Sequence, residues 1–88
     1  MGVEELRRAL LARLEALDEI RVAAFYSDVV VSEVLGALYE RWEKAGRRGE
    51  PIDYATEDEL VKLLSRLEEV ESKPVWALAR ELGIAPGA

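Results

Sequence analysis

The chain contains no cysteine and no histidine. The first absence removes disulfides, thiolate metal sites and cysteine nucleophiles. The second removes the commonest general base and the commonest transition-metal ligand. Asparagine and glutamine are missing as well, and the hydroxyl side chains besides tyrosine are four Ser and one Thr. With no imidazole to activate them, these hydroxyls read as helix caps rather than nucleophiles. Apolar runs are short, such as Val22–Tyr26 and Val29–Val31, so neither a membrane span nor a secretory leader is expected. Gly2 follows Met1, but Leu6 stands where a myristoylation signal carries Ser or Thr. The expectation is a cytoplasmic, non-enzymatic protein with no cofactor, no metal and no small-molecule ligand.

What is present is helical in composition. Half of the 88 residues are apolar and 34% are charged, which suits one small globular or coiled-coil-like domain rather than a disordered chain. Glu and Arg dominate the charges. Ion-pairing residues without thermolabile amides point to a hot environment, although a GC-rich genome biases composition in the same direction. The net charge of −6 is unevenly spread. Met1–Phe25 carries five acids against four bases, Tyr26–Gly49 four against four, and Glu50–Ala88 nine against four.

Periodicity supplies the elements. Val3, Leu6, Leu10, Leu14, Leu17, Ile20 and Ala24 recur at steps of three and four, predicting a helix with one apolar stripe that Leu11 and Ala12 widen. Val31, Val34, Leu35, Leu38, Trp42 and Ala45 form a second stripe. Between them "FYSDVVV" offers Ser27 or Asp28 as a cap and a β-branched run that weakens a helix. Residues 1–46 therefore read as a helical hairpin turning at 26–28. Every seventh residue from Val3 to Ala45 is also apolar, which suits one unbroken helix of about 60 Å able to form a dimer. Arg13, Ser27 and Arg41 interrupt the companion seam of such a coil. Both readings stay open.

Residues 47–55 read as a loop, with Gly46 as a left-handed helix end and Pro51 barring continuation. "TEDEL" is a capping box joining Thr56 and Glu59. Leu60, Leu63, Leu64, Leu67 and Val70 give the following helix its buried face. That helix must stop by Lys73, which precedes Pro74. Ser72 then caps a last helix with Pro74 in its first turn and Val75, Leu78, Ala79 and Leu82 along one side. The predicted architecture is a single all-α domain over 1–88, a small four-helix unit made of a hairpin and a steeply crossed pair.

The last pair carries a motif. Ala79 followed four residues later by Gly83, with Leu78, Leu82 and Ile84 around them, resembles the first two helices and the turn of a helix-turn-helix or winged-helix domain over residues 56–88. The resemblance implies a DNA-reading ancestry, but only a short stretch follows the turn, so a recognition helix is lacking. The same letters also compose a helix ending, with Gly83 left-handed, Ile84 folded back and Pro86 beyond. This half carries five net negative charges, and phosphate binding requires cations. Nucleic acid is therefore not the expected partner.

Two further clusters bear on partners. Arg41, Lys44, Arg47 and Arg48 could contact an anion, but cations at a helix end also complement its dipole, and Glu40, Glu43 and Glu50 are interleaved. Trp42, Trp76, Tyr39 and Leu38 are candidate interface anchors, with Tyr26 and Tyr54 as further aromatics. The carboxylates Glu15, Asp18 and Glu19, and Glu68, Glu69 and Glu71, match no metal-binding pattern. The functional expectation is a protein–protein interaction or oligomerisation module, binding itself as a homodimer or a larger protein. The alternative is a transcription or replication accessory derived from a helix-turn-helix protein.

Overall fold

The computed structural model describes residues 2–84. Its elements are α1 (Val3–Glu15), α2 (Glu19–Ser27), α3 (Val29–Lys44), a 3-10 turn (Pro51–Tyr54), α4 (Glu57–Ser72) and α5 (Val75–Glu81). The all-α class holds, with five α-helices among the described residues where four were expected.

The extra helix arises because the first stripe is not one helix. Asp18 turns extended, and its carboxylate accepts from the amide of Arg21 at 2.8 Å, starting α2 afresh. Asp28 does the same for α3, accepting from Val30 and Val31. Of the two caps proposed for 26–28, Asp28 serves and Ser27 closes α2. α2 and α3 meet at 75°, so the long unbroken helix is overturned. The hairpin survives in altered form: α1 and α3 run antiparallel, joined by α2 as a corner rather than by a three-residue turn. The seven-residue register nevertheless keeps its meaning, for Leu10, Val31 and Leu38 are buried and Val3, Leu17 and Ala24 pack against them.

α4 is the common surface. Its capping box forms as expected, with Glu59 N–H donating to Thr56 Oγ1 and Thr56 N–H donating to the Glu59 carboxylate. Leu60, Leu63, Leu67 and Val70 are buried on its inner face, and α1, α2 and α3 all pack there. Ion pairs fix the directions. Arg7 donates to the carbonyl of Asp53 and Arg13 pairs with Glu71, so α1 runs with α4. Arg66 pairs with Asp28 and Arg41 with Glu59, so α3 runs against it. α5 rests on α2 through Leu78 and Ala79. Ser72 does not cap α5; it lies in the last turn of α4, its hydroxyl donates to the Glu69 carbonyl, and Pro74 takes the cap position.

Two helices end alike. Gly46 (φ 79°) donates to Glu43 O and Arg47 to Trp42 O; Gly83 (φ 76°) donates to Arg80 O and Ile84 to Ala79 O. Both are paired left-handed endings of the Schellman type.

Asp28 joins a helix start to an interhelical ion pair, so two variants separate its roles. Asp28→Ala should cost about 2 kcal/mol in urea unfolding, from the lost cap and the lost partner of Arg66. Asp28→Asn keeps an accepting oxygen and should lose less than half of that.

Candidate docking groove

α1 and α3 flank α4 but hardly touch each other. The spacer between them is the reason. Nine residues of α2 span about 13 Å, more than the ~8–10 Å of two helices in direct contact. At the opposite end the 3-10 turn packs on α3, and Arg7 ties it to α1. Held apart at both ends, α1 and α3 leave a groove of about 410 Å³.

Leu63 of α4 forms its floor together with Leu10 and Phe25, all nearly fully buried. Leu11 and Leu14 make one wall, Leu35 and Tyr39 the other. Tyr26 closes one end, standing edge-on to Phe25 at 5.3 Å, and Glu50, Pro51 and Ile52 close the other. The upper walls face solvent: Leu11 is 44%, Tyr26 51% and Tyr39 53% exposed. Glu50 is the one charged side chain in the lining, and it forms no ion pair among the described residues.

Of the four anchors proposed from sequence, only Tyr39 lines the groove. Leu38 is fully buried in the core and offers nothing to a partner, which corrects its assignment. Trp42 is half-buried and fastens the loop. Its Nε1–H donates to Gly49 O at 2.9 Å, Arg47 lies over its ring, and Tyr39 meets it edge-on. Gly49 itself is required there: its φ is 69°, and a Cβ would meet Asp53 Oδ2 at 2.7 Å. Tyr54 also serves the loop, donating its hydroxyl proton to Arg48 O. Trp76 is 60% exposed on α5 with Arg80 stacked over it, away from the groove lining.

The basic cluster is partly spent. Arg41 binds Glu59 through two hydrogen bonds of 2.5 and 2.8 Å and donates to Tyr54 O, while Arg47 pairs with Glu43. Lys44 and Arg48 form no ion pair among the described residues. In the helix-turn-helix-like segment, Ala79 is buried and Gly83 is left-handed, and both belong to the α5 ending. The site of a following helix, 85–88, lies outside the described residues. Glu71 is held by Arg13, and Asp18 by Arg21 and its capping role, which removes both from the carboxylate clusters as uncommitted ligands.

Sequence reasoning reached Tyr26 and Tyr39 but not Leu11 or Glu50–Ile52 as one site. A signal existed: Leu10, Leu11 and Leu14 give α1 an apolar arc too wide for a single contact. The loop's part depends on the 3-10 turn, which no periodicity announces. Comparison with models of protein families, with curated proteins and with solved structures finds no match for this chain.

The Arg41 guanidinium holds the Glu59 carboxyl down to about 2 from its usual 4.5, against burial that would raise it, and the Thr56 amide assists. A depressed folded-state value means stability present above pH 4.5 and lost as pH falls toward 2. Thermal melts should thus drop through that window, and Glu59→Gln, less stable at neutral pH by at most about 1 kcal/mol, should show a shallower acid decline.

Proposed function

We propose that the protein is a non-enzymatic helical interaction module, which docks a protein partner through the groove between α1 and α3. The observation that carries this reading is an apolar trough with solvent-facing lips, Leu11, Tyr26 and Tyr39, over a buried floor. An apolar concavity left open to solvent is a candidate site for an apolar partner surface. A small-molecule cleft of this volume would need several converging polar groups to orient its ligand, and Glu50 alone is charged here. The missing imidazole and thiol argue further against chemistry at this site. A thermophilic source is part of the proposal, supported by the absence of amide side chains and by ion pairs that bridge helices, and a cytoplasmic setting is proposed with it. No single helix among the described residues is long and apolar enough to cross a membrane.

A second reading, an accessory protein descended from a helix-turn-helix regulator, rests on buried Ala79 within α5 and left-handed Gly83 just beyond its end. It too would act by touching proteins. Direct nucleic-acid contact ranks below both, since Arg41 and Arg47 already face carboxylates and the chain repels polyanions at −6.

The groove and Trp76 are separable by mutation. Leu11→Glu should reduce hydrophobic-dye emission severalfold and abolish cross-linking to a protein partner, with helicity unchanged. Trp76→Ala should leave both intact. Association that survives Leu11→Glu but not Trp76→Ala would move the site to α5 and overturn the groove reading. For duplex DNA at low salt, no shift in anisotropy is expected.

A further inference from the structure

We propose that the occupant of the groove is a single amphipathic α-helix from a basic protein, completing a four-helix bundle with α1, α3 and α4. This rests on the docking reading above and names the partner's chemistry.

The geometry comes first. α1 and α3 run antiparallel on either side of α4, which are three of the four positions of a bundle. The open fourth position lies over Leu63, between Leu11 and Tyr39. The walls are helical along their length, from Leu10 to Leu14 and from Leu35 to Tyr39. Each wall spans about 6 Å, roughly one turn, and so matches the apolar residues i, i+3 and i+4 of a docked helix.

Charge then selects the class of helix. Glu50 stands in the lining at one end with no ion pair among the described residues, and no cation lines the groove. On α1, Arg8 and Glu15 lie one turn to either side of Leu11 and offset each other. A docked helix that covered Glu50 without a cation would strand a desolvated carboxylate, whereas a Lys or Arg there forms a charge-assisted hydrogen bond. A second copy of the chain is a poorer match. Each copy carries −6, and its own groove brings another Glu50 and no cation from the lining. Charges of one sign on both partners slow encounter and weaken the complex.

The test uses the whole chain and two fluorescein-labelled synthetic peptides of about 20 residues, long enough to populate helix. Both carry the same Leu stripe at i, i+3, i+4 and i+7; one has Lys on its flanks, the other Glu. The Lys peptide should bind by anisotropy and the Glu peptide at least tenfold less tightly. Leu11→Glu and Tyr39→Ser, each at an exposed position, should weaken the Lys peptide at least tenfold with helicity retained. Glu50→Gln should weaken it about fivefold and should flatten its dependence on salt. Equal binding of the two peptides, binding of neither, Lys-peptide binding that ignores Leu11→Glu and Tyr39→Ser, or an affinity unchanged by Glu50→Gln would each overturn the proposal. A wild-type dimer that Leu11→Glu dissociates would overturn it too, replacing the basic helix with a second copy while leaving the docking reading standing.

Discussion

The inner face of α4 is the constraint from which the rest follows. Leu60, Leu63, Leu67 and Val70 line it, and α1, α2 and α3 all pack on it. Three ion pairs pin its surroundings at successive levels, Arg41–Glu59, Asp28–Arg66 and Arg13–Glu71. Burial supplies the driving force, since full burial of each Leu stabilises by roughly 1.5–3 kcal/mol. The ion pairs lie at the margins of the core, where solvent screens them, so their main effect is on direction and register rather than on total stability. Reversing α1 would set Arg13 beside the start of α4 and leave Glu71 without its partner. The groove is a corollary: two flanking helices held apart by α2 cannot cover the whole of a face this wide.

That logic explains which parts of the sequence were readable. The Thr56–Glu59 box and the Gly46 and Gly83 endings are local devices, complete within a few residues, and they form as their letters predict. The break at Ala16–Asp18 is different. Apolar spacing runs through it without interruption, and neither Gly nor Pro marks it. The cue was Asp18 followed by Glu19, a capping residue and a first-turn acid. Spacing alone could not weigh that cue, because a straight helix and a broken one bury the same stripe. What decides is tertiary: a straight continuation would carry Phe25 away from α4, and the corner instead brings it into the core almost fully covered.

The seven-residue repeat shows the same lesson from the other side. It reads as a coiled-coil seam, yet its residues from Val3 to Leu38 pack inward from three separate helices and the link after α1. Arg13 and Arg41, which spoil the companion seam, are the residues that reach α4. An interruption in an expected pattern was thus a contact with an element far along the chain. Residue separations of 58 and 18 lie beyond any local periodicity, and the groove, assembled from five segments, is equally invisible to it.

The exposed lips of the groove carry the remaining argument. Leu11, Tyr26 and Tyr39 are about half exposed, so each leaves a large part of its apolar area in water, and that area returns nothing to the fold of the isolated chain. Substitution there by Lys or Glu would cost the monomer little, in a sequence where charged residues are plentiful on exposed helix faces, although Val29, Val61, Val75 and Trp76 are exposed as well. Leu38 and Leu63, at the bottom of the same structure, have no such freedom. A domain of 88 residues has a small core to begin with, and a permanently open apolar trough lowers its solubility without raising its stability. Under the docking proposal the exposed area is covered by a partner, and the antiparallel helical walls set the shape such a partner would need.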